Sequence, residues 1–260
     1  MSTDPLAKEV VLRNCALVIP VFNEARRLSS NFWIELRAQN IGVIILVNDG
    51  SFDDSEIMIN NYLLNHTRFI WIRNVVNLGK GESIRIGMKK AVELEYTTII
   101  TIDADGAVKP SELESAISIH NKSRLNSLRQ SHANGIITSA ARVRLSGWEI
   151  LRKNSRQWLG RIVATLVSII TKLQMYDPQT PLKIYSFPKE IWQEVLSGAF
   201  RTRWFVDVEL ILRFRKILEP KTVRIEEFPI AFFEDIPGSN LSFRHSHRVF
   251  FELLQLRLYR

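Results

Sequence analysis

The sequence predicts an α/β protein built on a mostly parallel central sheet flanked by helices. Three observations carry that expectation. Short β-rich runs alternate with longer helix-like stretches through the first half of the 260 residues. The run Ile44-Ile45-Leu46-Val47 is continuously apolar, as suits a parallel strand covered on both faces. Each run ends in a polar turn bearing Gly, Asp or Asn, the punctuation between strand and helix.

The elements follow in order. Ala16–Pro20 reads as the first strand and Glu24–Ala38 as the helix after it. Val43–Val47 with Asp54–Leu64, Arg68–Arg73 with Lys80–Leu94, and Thr97–Ile102 with Pro110–Asn121 repeat the pairing. Ile136–Ala140 reads as a further strand, and Asn154–Leu173 as a long helix. On that helix Gln157, Arg161, Thr165, Ser168 and Lys172 make a narrow polar stripe, and nearly everything else is apolar. So wide an apolar arc suits a buried core helix. With Arg152, Lys153, Arg156 and Arg161 at its start, it also suits a helix lying on a membrane surface. A strand near Leu182–Tyr185, a helix over Val206–Ile217, a strand near Thr222–Pro229 and a basic amphipathic tail from Arg244 to Arg260 complete the chain.

Hydrophobic residues at 46% and charged residues at 24% exclude a disordered, collagenous or coiled-coil chain. The net charge of +8 favours anionic partners: nucleotide phosphates, nucleic acid or an acidic membrane face. No nucleic-acid-binding motif accompanies it, so nucleic acid is not expected. The single Cys15 excludes an internal disulfide and a Cys-rich zinc site, and fits a reducing compartment. Met1–Asn14 lacks the apolar core of a secretory signal. The longest uncharged apolar stretch, Ile162–Thr171, falls well short of the ~20 residues of a spanning helix. The expectation is a soluble or peripheral protein.

The strand ends hold the chemistry. Ligands of an open parallel sheet bind at the carboxyl ends of its strands. Four such ends carry Val21-Phe22-Asn23-Glu24, Asn48-Asp49-Gly50-Ser51, Asn77-Leu78-Gly79-Lys80-Gly81 and Asp103-Ala104-Asp105-Gly106. Asp103 and Asp105, one residue apart at a strand end, can grip one hard cation and the diphosphate it carries, or merely cap a helix. Gly79-Lys80-Gly81 opens a helix, whose N-terminus attracts phosphate, yet it matches neither a P-loop nor a dinucleotide fingerprint. Asp49 could offer a carboxylate to a base or ribose, or close a tight turn.

In this order the four motifs resemble a family 2 glycosyltransferase of GT-A fold. The resemblance continues with Asp177-Pro178-Gln179, Trp204-Phe205-Val206-Asp207-Val208-Glu209-Leu210 and Ile236-Pro237-Gly238-Ser239, which are similar to the polyprenyl-phosphate glycosyltransferases. Within that group the motifs lie closest to the dolichyl-phosphate β-glucosyltransferases, then to the dolichol-phosphate mannose synthases. The match covers about residues 14–243. It implies one GT-A domain over 1–243, with a nucleotide-binding half near 14–106, an acceptor half near 107–243, and a C-terminal helix over 244–260. It further implies that Pro20, Phe22, Glu24 and Asp49 line the base and ribose, and that Gly79 and Lys80 border the donor. Asp103 and Asp105 would hold Mg²⁺ or Mn²⁺, Arg142 and Arg144 would meet phosphate, and Asp207 and Glu209 would stand at the acceptor.

The implied reaction is inverting transfer of a sugar, glucose first, from a UDP-sugar donor to a polyprenyl phosphate or other lipid-linked acceptor. The implied place is the cytoplasmic face of an anionic membrane; homo-oligomerisation stays open. A saccharide hydroxyl acceptor, a GDP-mannose donor and a non-catalytic relative remain alternatives. Three departures from the family pattern bear on them: Ala107 stands where mannose synthases carry Gln, Pro181 where Gly is usual, and Asn240 where Lys is usual. A nucleotidyltransferase is disfavoured, because its Gly-rich loop would occupy Pro20-Val21-Phe22-Asn23-Glu24.

Overall fold

The computed structural model describes residues 12–28, 30–63, 67–129, 134–152, 154–219, 222–236 and 246–259. Strands β1 (Cys15–Val21), β2 (Val43–Asn48), β3 (Phe69–Arg73) and β4 (Thr98–Thr101) alternate with helices α1 (Ser30–Ala38), α2 (Ser55–Leu63), α3 (Lys80–Glu93) and α4 (Glu112–Arg129). Then come β5 (Gly135–Ala141), β6 (Glu149–Leu151), α5 (Asn154–Thr171), β7 (Lys183–Ser186), α6 (Lys189–Val195), α7 (Val206–Ile217), β8 (Val223–Pro229), β9 (Phe232–Glu234) and α8 (Ser246–Gln255). A 3₁₀ turn over Leu256–Tyr259 follows α8.

Seven strands form one sheet in the order β3-β2-β1-β4-β7-β5-β8. All run parallel except β7, which is antiparallel to both β4 and β5. The expected mostly parallel sheet is therefore present. Alternate residues of β1 feed two cores, because successive side chains leave a strand on opposite faces. Leu17, Ile19 and Val21 pack with Trp33 and Leu36 of α1 and Leu113 and Ile117 of α4. Ala16 and Val18 pack with Ile84 and Met88 of α3 and Phe214 of α7. The result is three layers, with the strand ends of β1 to β4 at one edge.

One local expectation fails, and three short elements are additional. The helix expected from Glu24 begins only at Ser30. Glu24 N donates to Ser55 Oγ and Ala25 N to Asp53 Oδ2, at 2.7 and 3.1 Å, so those amides are tied to the neighbouring loop. Strands β6 and β9, which pair with each other in a small second sheet, and helix α6 were not foreseen. They are too short for periodicity to reveal.

The two amphipathic segments also resolve differently. On α5 only Ala164, Val167 and Thr171 are buried, while Trp158 is 72% and Ile169 68% exposed. The core alternative thus fails for most of that helix. Its polar stripe turns partly inward instead: Arg161 donates to Tyr176 O at 2.8 Å and lies over the Tyr176 ring. The tail behaves oppositely. Leu253 and Leu256 are buried in the core, and Glu252 accepts the backbone N–H groups of Arg203 and Trp204 at 2.9 and 2.7 Å. The tail thus packs through Leu253 and Leu256, while Phe251, Leu254 and Leu258 stay exposed. The expected side-chain pattern over Arg244–Phe250, the Ile236-Pro237-Gly238-Ser239 motif beyond Ile236, Asn240 and the N-terminal segment before Leu12 lie outside the described residues. Among the described residues no helix is long and apolar enough to cross a membrane.

Candidate active site

β2 pairs on one side of β1 and β4 on the other, so the winding reverses between β1 and β4. That is the topological switch point where open α/β sheets bind ligands. Glu24 emerges there after β1, and Asp103 and Asp105 after β4. β7 begins at the same edge because it is antiparallel, with Lys183 opposite Thr101.

The first two loops lace together. Asn23, at φ 52°, donates its backbone N–H to Ser51 Oγ at 3.1 Å and accepts from Phe52 N at 3.0 Å. Pro20 and Phe22 are half-buried, and Phe22 meets the exposed Phe52 ring edge-on at 6.2 Å.

Asp49 takes the second of its two expected roles, closing a turn. It is 2% exposed, and its carboxylate is taken up by protein donors. Asn74 Nδ2 and Leu78 N each donate to Oδ1 at 2.9 Å; Asn77 Nδ2 and Gly79 N donate to Oδ2 at 2.9 and 2.8 Å. Asp49 therefore braces the turn entering α3 rather than offering a carboxylate to a ribose. Gly79 sits in that turn at φ 95°, where an L side chain would be strained.

Charge is concentrated beyond the brace. Lys80 Nζ lies 2.7 Å from Asp103 Oδ1, with Lys80 49% and Asp103 31% exposed. Desolvation opposes the Lys80 charge, but Asp103, Asp207 and Asp105 outweigh it and lift the ammonium to about 12. Burial raises the Asp105 carboxyl above the usual range, and the Asp103 charge adds to it. Burial likewise pushes Glu24 up to about 7; Arg27 opposes this, and Asp105 and Asp103 reinforce it. Arg27 Nη2 donates to Glu24 Oε1 at 2.7 Å, whereas Glu24 Oε2 is buried without a partner.

Asp103 and Asp105 could share a hard divalent cation, which would relieve their mutual repulsion. Among the described residues no group of three or more His, Cys, Asp and Glu side chains is set to hold a metal. A cation on that pair would have to complete its shell with oxygens from outside the protein.

Glu209, in the first turn of α7, departs from expectation. Its side chain is 0% exposed and accepts from Arg201 N, Thr202 N, Thr202 Oγ1, Arg213 and Tyr259 Oη at 2.7–3.1 Å. Burial alone would raise its carboxyl, but these donors hold it below the usual range. It is a structural latch. Asp207, two residues earlier, keeps partial exposure and pairs with Lys183 Nζ at 3.3 Å.

Arg142 is committed as well. Its fork meets Asp177 at 2.6 and 2.7 Å, and Nη2 also donates to Gln179 O. It is not an open phosphate ligand. Arg144 donates to Arg152 O at 2.6 Å and to Asn154 Oδ1 at 3.3 Å, at the start of α5.

Sequence reasoning passed over Lys183 and gave Arg152 only a flanking role. Lys183 is wholly buried and also donates to Thr180 O at 2.6 Å. Its signal was a lone cation inside an apolar strand run. Arg152 has a buried Nε without a partner, and burial, with Arg142 next, lowers its guanidinium from the ordinary value.

The profile of the glycosyl transferase family 2 domain matches residues 16–167, the span from β1 through most of α5. The chain belongs to glycosyl transferase family 2. Over 252 residues it is 25% identical to a dolichyl-phosphate beta-glucosyltransferase of Trichomonas vaginalis, covering 93% of this chain and 70% of that one. A UDP-N-acetylglucosamine–dolichyl-phosphate N-acetylglucosaminyltransferase of Methanococcus voltae is 32% identical over 113 residues, 39% of this chain and 45% of that one. A glucosyl-3-phosphoglycerate synthase from Mycobacterium tuberculosis, solved with Mn²⁺, UDP-glucose and glycerol 3-phosphate, superimposes with a TM-score of 0.62 at 15% identity. That alignment covers 98% of this chain and 85% of the synthase. The fold is that of the GT-A glycosyltransferases, as the sequence motifs implied.

Proposed function

We propose that this family 2 glycosyltransferase is an inverting, metal-dependent enzyme that moves glucose from UDP-glucose to a polyprenyl phosphate. The observation that carries the reading is the crowded carboxylate set at the switch point, Asp103 and Asp105 with the unpartnered oxygen of Glu24 beside them. The similarity to dolichyl-phosphate glucosyltransferases along nearly the whole chain supports the donor and the acceptor.

Residues 14–106 form the donor half in this reading and 107–243 the acceptor half. Pro20 and Phe22 border the nucleotide, and Asp49 acts at one remove by fixing the Gly79 turn. Asp103 and Asp105 would hold Mg²⁺ or Mn²⁺, which would supply charge to stabilise the diphosphate leaving group. Lys80 faces the same phosphates. A phosphate acceptor arrives already ionised, so its attack needs no strong base. Glu209, locked by its donors, is not required for proton transfer. Arg152 and Arg144, above the Arg142–Asp177 pair, offer positive charge to the acceptor phosphate.

The exposed apolar face of α5, Trp158, Leu159, Ile162, Leu166 and Ile169, gives the lipid a surface. Arg156 at its start, paired with Asp235 at 3.5 Å but still partly exposed, suits anionic headgroups. The protein then works peripherally at the cytoplasmic face of a membrane. Calorimetry with UDP and Mn²⁺ tests the reading. Asp105→Ala, in a turn outside the sheet, should lose most of the metal-dependent affinity while the melting curve is kept. Unchanged affinity would reduce the acidic pair to a turn.

A further inference from the structure

We infer that Lys80 is an exchangeable stand-in for the cation: it neutralises Asp103 before metal binds and releases it when the metal–donor complex arrives. The inference rests on the metal-dependent reading above.

The ammonium lies 2.7 Å from Asp103 Oδ1, on one of the two carboxylates that fit the cation. An ion pair with both partners this exposed is weak and breaks easily. Its backbone, by contrast, is fixed. Lys80 opens α3 directly after Gly79, whose N–H is pinned by Asp49 Oδ2 at 2.8 Å. The side chain can therefore move while its root stays in place.

A second anionic position is near: Gly81, next to Lys80, packs tightly against Val206, next to Asp207, and the Asp207 charge raises the Lys80 ammonium. Asp207 is held from beneath by the buried Lys183, at 3.3 Å, and Lys183 is itself fixed to Thr180 O. Lys80 can thus leave Asp103 and still keep a carboxylate near its charge. Without Lys80, the repulsion among Asp103, Asp105 and Glu24 loses a neighbouring cation, and a dication gains in proportion.

The test titrates the full-length protein with Mn²⁺ alone and reads free Mn²⁺ by electron paramagnetic resonance. Lys80→Met and Lys80→Gln should bind Mn²⁺ about two- to fivefold tighter than the unaltered protein, because a weak competing ion pair is gone. Lys80→Arg, which keeps the charge, should not. With UDP present the advantage of Lys80→Met should vanish or reverse, because the lost charge then also faces the phosphates. The inference fails if neither charge-removing variant binds Mn²⁺ more tightly while UDP–Mn²⁺ binding is intact. It also fails if Lys80→Arg gains as much as Lys80→Met. If the unaltered protein binds no Mn²⁺ even with UDP, the metal-dependent reading itself is overturned.

Discussion

Replacing Glu209 by Gln separates a latch from a catalyst. The carboxylate gathers Arg201 and Thr202 from the loop before α7, Arg213 from α7 and Tyr259 from the C-terminal turn. Every one of these groups donates. An amide places its own N–H₂ against donors and leaves the Arg213 guanidinium, 11% exposed, without its counter-charge. Breaking a buried pair in this way costs about 3–5 kcal/mol. For a chain of this size each kcal/mol lowers Tm by roughly 2–4 °C, so the expected loss is on the order of 10 °C. Tyr259→Phe removes a single hydrogen bond to the same carboxylate and should cost only about 1–2 kcal/mol. Thermal melts of the three proteins, paired with sugar-transfer rates below the lowest Tm, make the assay. The folded fraction of Glu209→Gln should retain transfer. A variant that melts with the unaltered protein but loses transfer by roughly a hundredfold or more would show that Glu209 is a general base after all.

Other outcomes follow from the same packing. His120 is buried between Thr138 Oγ1 and Ser186 Oγ, at 2.8 and 2.7 Å, and burial, with Arg124 second, lowers its imidazole to about 4. The fold therefore holds His120 neutral, and its contribution is full above pH 6.5 and lost as pH falls toward 4, about 3 kcal/mol in all. Urea midpoints should drop across that window, and less so in His120→Gln. Gly81 has no room for a methyl group, because a Cβ would overlap Val206 Cγ2 where α3 and α7 meet. Gly81→Ala should lose about 1–3 kcal/mol, and Val206→Ala on the same chain should restore part of it. Trp158→Asp with Ile162→Asp should weaken co-sedimentation with anionic vesicles several-fold without moving Tm. Removing residues 246–260 should instead lower Tm, because Leu253 and Leu256 are core residues.

Legibility differed by element. The alternation of β1 to β4 with α1 to α4 was readable because β1, β2 and β4 are buried runs, β3 is still strongly apolar, and helix-like stretches separate them. β6 and β9, three residues each, carry too little pattern to stand out. The carboxylates Asp103 and Asp105 were legible as a pair, since their spacing at a strand end is local. What stayed hidden was who partners whom across the chain. Asp49, Glu209 and Arg142 look like free functional groups in a linear sequence. Their donors and acceptors come from residues up to 50 positions away, and only the folded chain shows that they are already spent. Lys183 was missed for the converse reason, because its use depends on Asp207 reaching it from another helix. The apolar arc of α5 was visible, but not its direction, which depends on how little of the helix the core accepts.

The central claim is best tested by one transfer assay. Purified protein is mixed with Mn²⁺, dolichyl phosphate and, in turn, UDP-glucose, UDP-N-acetylglucosamine and GDP-mannose. Release of nucleoside diphosphate and formation of glycosylated lipid are followed together. The account predicts lipid-linked glucose from UDP-glucose, abolished by chelation and by Asp105→Ala. Equal turnover with Asp105→Ala, or glycosylated lipid only from GDP-mannose, would contradict it.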